Sequence, residues 1–288
     1  MARPGVMTAR RAAARPRVVG RAGLYAVLCA YALFTLFPLL WVLLTSFKTN
    51  VQALASPPVL VFAPISDNYV NVALRVHDFG RVFLNSVVVA AASTAGILVL
   101  GTPASYGLSR FVFRGSGLLG FSILSTRTVP RVAIAVPLFL LMKDVGLLDT
   151  WSAVILANIA YSLPFGIWMI VGFVEAVPLE LEEAARIDGC SRFGAFARVV
   201  VPLILPGLGA TAILTTIVAW NEFLMPLVLT SRDARTLPVV VGQFITEYGI
   251  DWGQLSAFAV LTILPVVLAT VFIERYLIGG LTAGAVKG

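Results

Sequence analysis

The run from Trp151 to Val174, WSAVILANIAYSLPFGIWMIVGFV, contains no charged residue. At about 1.5 Å rise per residue, crossing a bilayer core of about 30 Å takes roughly 20 apolar residues in a helix, and this run suffices. Four other uncharged runs are as able to span: Ala22 to Phe47, Val82 to Ser109, Val199 to Asn221 and Trp252 to Ile273. A sixth, from about Leu118 to Met142, is apolar except for Arg127 and Arg131, and without it the loops fall on inconsistent sides. With 59% hydrophobic and only 12% charged residues, the chain lacks the polar surface to coat a water-soluble globule of its size. The expected fold class is therefore all-α: a polytopic membrane protein of six transmembrane helices, with the lipid bilayer as its main solvent.

Charge sets the expected orientation. Arg3, Arg10, Arg11, Arg15, Arg17 and Arg21 precede the first run, which is too long for a signal-peptide core and lacks a small-x-small cleavage pattern, so residues 1–21 read as a cytoplasmic basic tail before an uncleaved span. Six spans starting inside put Arg110, Arg114, Arg186, Arg192, Arg198, Arg275 and Lys287 on the tail's side. Lys48, Arg75, Arg81, Lys143, Arg232 and Arg235 fall on the other, and Arg127 and Arg131 lie within the third span. This positive-inside bias places both termini in the cytoplasm. Residues 22–288 form one membrane domain. Its longest external connection, about Lys48 to Arg81, carries Pro57, Pro58 and Pro64 and an Asp67 able to cap a short helix.

The formal charge of +7 does not indicate nucleic acid, because the basic residues form no patch interleaved with aromatics on a polar segment. Cys29 and Cys190 are not expected to form a disulfide, and His77 has no Cys or His neighbours at ligand spacing, so no metal site is expected. A membrane-embedded transferase would need paired acids or a metal cluster. Glu180, Glu182 and Glu183 are adjacent at a helix start and lack such partners. Nor does the chain contain GxxxxGK[ST], so it cannot cradle a nucleotide unaided. An ion channel would predict rings of charge or a carbonyl filter. Prolines at 38, 103, 130, 137, 164 and 265 lie inside the runs and can bend them, while Ala92 and Gly96 allow close helix packing.

Between the fourth and fifth runs, residues 178–202 read PLELEEAARIDGCSRFGAFARVVVP. Pro178 suits a first helical turn, the glutamates favour the positive end of the helix dipole, Gly189 is placed to end the helix left-handed, and Ser191 can cap a second helix. Leu181, Ala184, Ala185 and Asp188 share one side, a narrow face that another protein can approach closely.

Glu183-Ala184-Ala185, then Gly189, then an aliphatic-x-aliphatic-Pro ending at Pro202, resembles the EAA loop of binding-protein-dependent ABC importer permeases, with Val199 and Val201 where isoleucine and leucine are common. The resemblance extends to Gly146-Leu-Leu-Asp-Thr150, Leu163-Pro-Phe-Gly-Ile-Trp168, Trp220-Asn-Glu-Phe223, Thr236-Leu-Pro-Val239 and the ending Gly280 to Gly288, and is greatest to the carbohydrate subgroup with six spans, of the maltose/trehalose type. It implies a MetI-like permease of a bacterial inner membrane, paired with a sister permease, two cytoplasmic ATPase subunits that bind the ATP and magnesium, and an external sugar-binding protein. It further implies that Glu183, Ala184, Ala185 and Gly189 seat in a groove of the ATPase, and Asp188 on the narrow face is counted with them in the coupling loop. Glycerol phosphate, a peptide or another polar solute remains open as cargo.

Charges in a bilayer are expensive, at roughly 2.5–3.5 kcal/mol each on insertion scales, so Arg127 and Arg131 need a polar or protein-lined surrounding. Four residues apart on one helix face, they read either as a polar wall of the pathway or as side chains that snorkel or pair. Trp220, Asn221 and Glu222 at the outer end of the fifth run read as a sugar contact, or as an interfacial ring beside a solvated acid.

Overall fold

The computed structural model describes residues 18–285 except 76, 77, 112 and 248; side chains at 18–22, 75, 246 and 269–285 also lie outside that description. The arginines of the basic tail, His77, Arg275 and the ending Gly280 to Gly288 therefore lie wholly or in their side chains outside the described residues. Among the described residues three unbroken helices are long and apolar enough to cross a membrane: α1 (Val18–Thr45), α4 (Phe79–Arg110) and α7 (Trp151–Glu175). Before α4 come the short α2 (Asn50–Leu54) and α3 (Asp67–Arg75), in which Asp67 is a first-turn acid, one position inside the helix it was expected to cap.

The third and fifth runs are not straight spans. The third divides into α5 (Ser116–Ser125), extended by a single 3-10 turn, and α6 (Arg131–Asp144), which meet at 90°. Val129 and Pro130 between them have extended backbone, as expected where proline disfavours α-conformation in the residue before it. Pro38, Pro103, Pro137, Pro164 and Pro265, by contrast, sit inside continuous helices. The fifth run bends by 71° at Ile204, flanked by Pro202 and Pro206, which both lack the N–H that would continue the ladder.

Following α7 come α8 (Leu179–Ile187), α9 (Arg192–Ala195), a π-helical turn Phe196–Val200, α10 (Val201–Leu203) and α11 (Leu205–Trp220). Then α12 (Leu224–Leu229), α13 (Leu237–Val240) and the two-stranded hairpin Ile245–Thr246 with Gly249–Ile250 lead into α14 (Trp252–Ala285). Six membrane passages are compatible with this architecture: three unbroken helices, two bent pairs and α14.

The core is α4 packed on α7, with α11 closing over both. Close approach is built on glycine: a Cβ at Gly207 would run into the Phe173 ring, and one at Gly166 into Ile97. Against α14 lies α1, whose other faces present Leu33, Phe34 and Phe37 outward, a surface suited to lipid or another membrane helix. Hydrogen bonds tie the strap after α1 down: Asn68 donates to the Ser46 and Lys48 carbonyls, both at 2.8 Å, and Lys48, 2% exposed, sets its ammonium over the Trp41 and Phe62 rings.

Candidate functional site

Two sets of groups named by the sequence are assembled by the fold. The first lies at the C-terminal end of α4. Helix α8 ends as its sequence predicts: Gly189 has φ +95°, Cys190 N–H donates to Ala185 O at 3.0 Å, Gly189 N–H to Arg186 O at 3.1 Å, and Ser191 Oγ caps the next helix by accepting from Gly194 N–H at 3.0 Å. Pro178 is the residue before the first turn. Glu183, Ala184, Asp188 and Gly189 are exposed, Ala185 is half-buried, and Ile187 and Phe193 stand out at 86% and 75% exposure, so this surface offers apolar knobs beside the small residues.

Glu182, in contrast, turns inward and is 4% exposed. One of its oxygens accepts from Arg110 Nε at 2.5 Å and the other from Tyr106 Oη at 2.8 Å. Arg110 also donates through Nη2 to the Val174 and Val177 carbonyls at 3.0 and 2.7 Å, at the end of α7. The Tyr106 ring lies 4.7 Å from that of Phe196. A single guanidinium thus joins the ends of α4 and α7 to α8. In the sequence Glu182 reads as one of three adjacent acids at a helix start, and nothing there singles it out for burial, because its partners are more than 70 residues away.

The second assembly is at the break in the third run. Arg131, in the first turn of α6, forms an ion pair with Glu222, which is 4% exposed in its side chain against 28% for Arg131. The other oxygen of Glu222 accepts from Met225 N–H at 3.2 Å, so the carboxylate caps α12 as well. Beneath the arginines lie two rings of α7, four residues apart: Arg131 is 3.9 Å from the Tyr161 ring centroid, while Arg127 is 4.7 Å from that of Phe165 and 5.6 Å from that of Tyr161. The cost of carrying charge into the bilayer is offset here by one ion pair and by aromatic faces. Glu222 is therefore not the solvated acid of the simpler reading. Trp220 is 7% exposed and packs edge-on against Phe83 at 6.0 Å, which makes it core, and Asn221 is exposed with its side-chain amide donating to Ile217 O. Tyr161 and Phe165 were missed, since an aromatic pair inside an apolar helix looks like packing until the arginines are placed over it.

Two further quoted motifs meet at the opposite end of α4. Asp149, at φ +59°, accepts hydrogen bonds from the backbone N–H groups of Ser231, Arg232, Asp233 and Ala234, at 3.0 to 3.2 Å, and from Ser231 Oγ at 2.9 Å. Burial alone would raise this carboxyl; the four amides together outweigh it and hold the group well below the usual carboxylate range. The segment before Thr236-Leu-Pro-Val239 is thus fastened to Gly146-Leu-Leu-Asp-Thr150.

Residues 97–282 match the family described as binding-protein-dependent transport system inner membrane component. The chain is 40% identical to the sulfoquinovosyl glycerol transport system permease protein of Agrobacterium fabrum over 88% of its own length and 89% of the relative's. It is 33% identical to the trehalose/maltose transport system permease protein of Thermococcus litoralis, over 89% and 93% respectively. Its fold is that of a chain in a bacterial ABC transporter involved in the import of the acidic polysaccharide alginate, with a TM-score of 0.73, 23% identity, and coverage of 94% of this chain and 99% of that one.

Proposed function

The chain belongs to the family of binding-protein-dependent transport system inner membrane components, and from that premise we propose that it forms, with a sister permease, the transmembrane pathway of an ATP-driven carbohydrate importer. The observation that carries the mechanism is the Arg110–Glu182 junction, which makes α8 continuous with the core helices α4 and α7. In this reading Glu183, Ala184, Ala185, Asp188 and Gly189 seat in a cytoplasmic ATPase subunit, and movement of α8 on ATP closure is passed to α4 and α7. Two such ATPases bind the ATP and magnesium. Both termini are cytoplasmic, and an external binding protein delivers the cargo.

At the other functional centre, Arg131 and Glu222 join the bent third span to the junction of α11 and α12. Breaking that pair frees one carboxylate oxygen and a guanidinium beside the Tyr161 and Phe165 rings, a polar and aromatic surface suited to sugar hydroxyls and sugar faces. The reading that the cargo is a carbohydrate is supported by the substrates named for the two relatives above.

Ala185→Trp and Gly189→Val test the proposal. Neither touches an apolar span, so membrane abundance should match the wild type, whereas sugar uptake by proteoliposomes containing the complete transporter should fall at least tenfold, with hydrolysis no longer stimulated by the loaded binding protein. Wild-type uptake by both variants would remove α8 as the coupling element. Uptake of a peptide or glycerol phosphate in place of sugar would change the cargo and leave the coupling intact.

A further inference from the structure

The break in the third span carries more positive charge than it neutralises. Glu222 pairs with Arg131, and Arg127 belongs to no ion pair among the described residues. Two guanidiniums set against one carboxylate leave one net positive charge. Its depth makes that charge costly: Tyr161, which lies under both arginines, stands ten residues after the start of α7 and fourteen before its end, about 15 and 21 Å along the axis, in the middle of the membrane. A cation at that depth is among the most expensive groups a chain can insert, and contact with aromatic rings returns only part of the cost.

A neutral sugar does not need it. Sugar hydroxyls are served by neutral hydroxyls and amides, which enter a membrane at far lower cost than a guanidinium. Around Arg127, however, the neutral hydroxyls are turned to their own backbone: Ser125 Oγ donates to Phe121 O at 2.8 Å, Thr126 Oγ1 to Ile123 O at 2.7 Å and Thr128 Oγ1 to Ser125 O at 2.7 Å. The side-chain donors that this segment can offer a solute are therefore the N–H groups of its arginines. Arg127 can be reached, since it is only half-buried and Thr126, Thr128, Val129 and Pro130 beside it are exposed.

The ligand chemistry follows from the charge. A guanidinium fork suits the bidentate geometry of an oxyanion, and a net charge of one matches a single negative group. We propose that Arg127, Arg131 and Glu222 select a sugar bearing one carboxylate or sulfonate, with Arg127 as the receptor of that group and Glu222 as the counter-charge that keeps Arg131 from holding a second. This assignment rests on the importer reading above and narrows its cargo to acidic carbohydrates.

The test uses the whole transporter, with sister permease and ATPases, in nanodiscs of zwitterionic lipid and without binding protein, both at rest and trapped with ATP and vanadate. Methyl β-glucuronide and its neutral match, methyl β-glucoside, are titrated while saturation transfer from protein to sugar is followed by NMR. In at least one of the two states the glucuronide should reach half-saturation at a concentration about tenfold lower than the glucoside, as expected of hydrogen bonds to a charged group. Arg127→Gln should bring the glucuronide to the glucoside value, and Arg127→Lys, which keeps the charge and loses the fork, should fall between. Equal half-saturation by the two sugars in both states of the wild type overturns the proposal, and this comparison needs no variant to fold. So does an undiminished glucuronide preference in an assembled Arg127→Gln transporter. Loss of the sister permease from purified Arg127→Gln, with assembly restored in Arg127→Lys, would make Arg127 the partner of an acid on that subunit and overturn it too. An unselective site in a transporter that still takes up sugar leaves the importer reading standing; only failure of the complete wild-type transporter to take up any sugar strikes that reading.

Discussion

Among the described residues two Arg–Glu pairs carry a buried carboxylate, and they are built to opposite ends. Arg110–Glu182 sits at a helix terminus, where both carboxylate oxygens are engaged: Tyr106 donates to the second, and the guanidinium also reaches two carbonyls at and just beyond the end of α7. Arg131–Glu222 joins a helix that turns by 90° to a short helix it caps, and its arginine, more exposed at 28% against 13% for Arg110, rests on rings that can hold the cation with or without the acid. The first pair fastens rigid bodies together. In the second, the more exposed arginine keeps an aromatic face when it parts from the acid, so this pair is the more readily opened of the two, as a moving junction in a transport pathway requires.

The largest effect should come from Glu182→Ala, which leaves a buried Arg110 and Tyr106 without their acceptor. A loss of about 3–5 kcal/mol is expected for breaking such a pair, read as a lowered thermal midpoint of the purified complex together with ATP hydrolysis decoupled from uptake. A variant with normal stability and coupling would break the contrast at its stronger end. Glu222→Gln should cost less, about 1–3 kcal/mol, because Arg131 keeps the Tyr161 face and some water. Its expected signature is raised hydrolysis without binding protein in an assembled transporter, partly reversed in Arg131→Glu/Glu222→Arg; an undiminished requirement for binding protein would show that this pair is as static as the first.

Asp149→Asn removes the charge from a third junction but keeps one acceptor oxygen, and should lower the hydrogen-exchange protection of the amides at 231–234 by about 1 kcal/mol. The wild-type carboxyl is depressed, so its stabilisation is fully present above the ordinary Asp value of about 3.9 and fades only as pH falls through the much lower folded value. Protection of those amides, corrected for intrinsic exchange, should therefore hold from pH 7 to about pH 4, and a loss near pH 5 would contradict the clamp. The smallest change is expected from Arg127→Ala, which removes cation–π contacts worth about 0.5–1 kcal/mol. Complex yield should stay normal while uptake slows, and wild-type uptake would confine the sugar-facing surface to Arg131 and its partners.

Local signals were legible at α8. Glycine after the helix and serine three residues before Gly194 each act through the backbone within a turn, and the structure follows them at Gly189 and Ser191, while Pro178 stands one position ahead of the first turn it was expected in. Arg127 and Arg131 were legible as needing company, because desolvation of a charge depends on the solvent and on nothing else in the fold. Their company was not legible: Glu222 comes from a segment about 90 positions later and the rings from another helix. Proline was an ambiguous sign, since Pro38, Pro103, Pro137, Pro164 and Pro265 lie in continuous helices, whereas Pro130 marks one break and Pro202 and Pro206 flank the other.

By itself the sequence determined that the chain lives in a bilayer as a bundle of helices, since apolar runs of spanning length leave no other way to satisfy a backbone without water. It also determined that α8 ends at a left-handed Gly189. Only the tertiary structure decided that the third and fifth spans bend, that Glu182 turns inward while Glu183 stays outside, and that Asp149 spends its charge on a loop some 80 positions away. The reason is physical: transfer into lipid is a sum over single residues and can be read along the chain, whereas a buried charge is stabilised by whichever distant donors or acceptors the fold brings within about 3 Å.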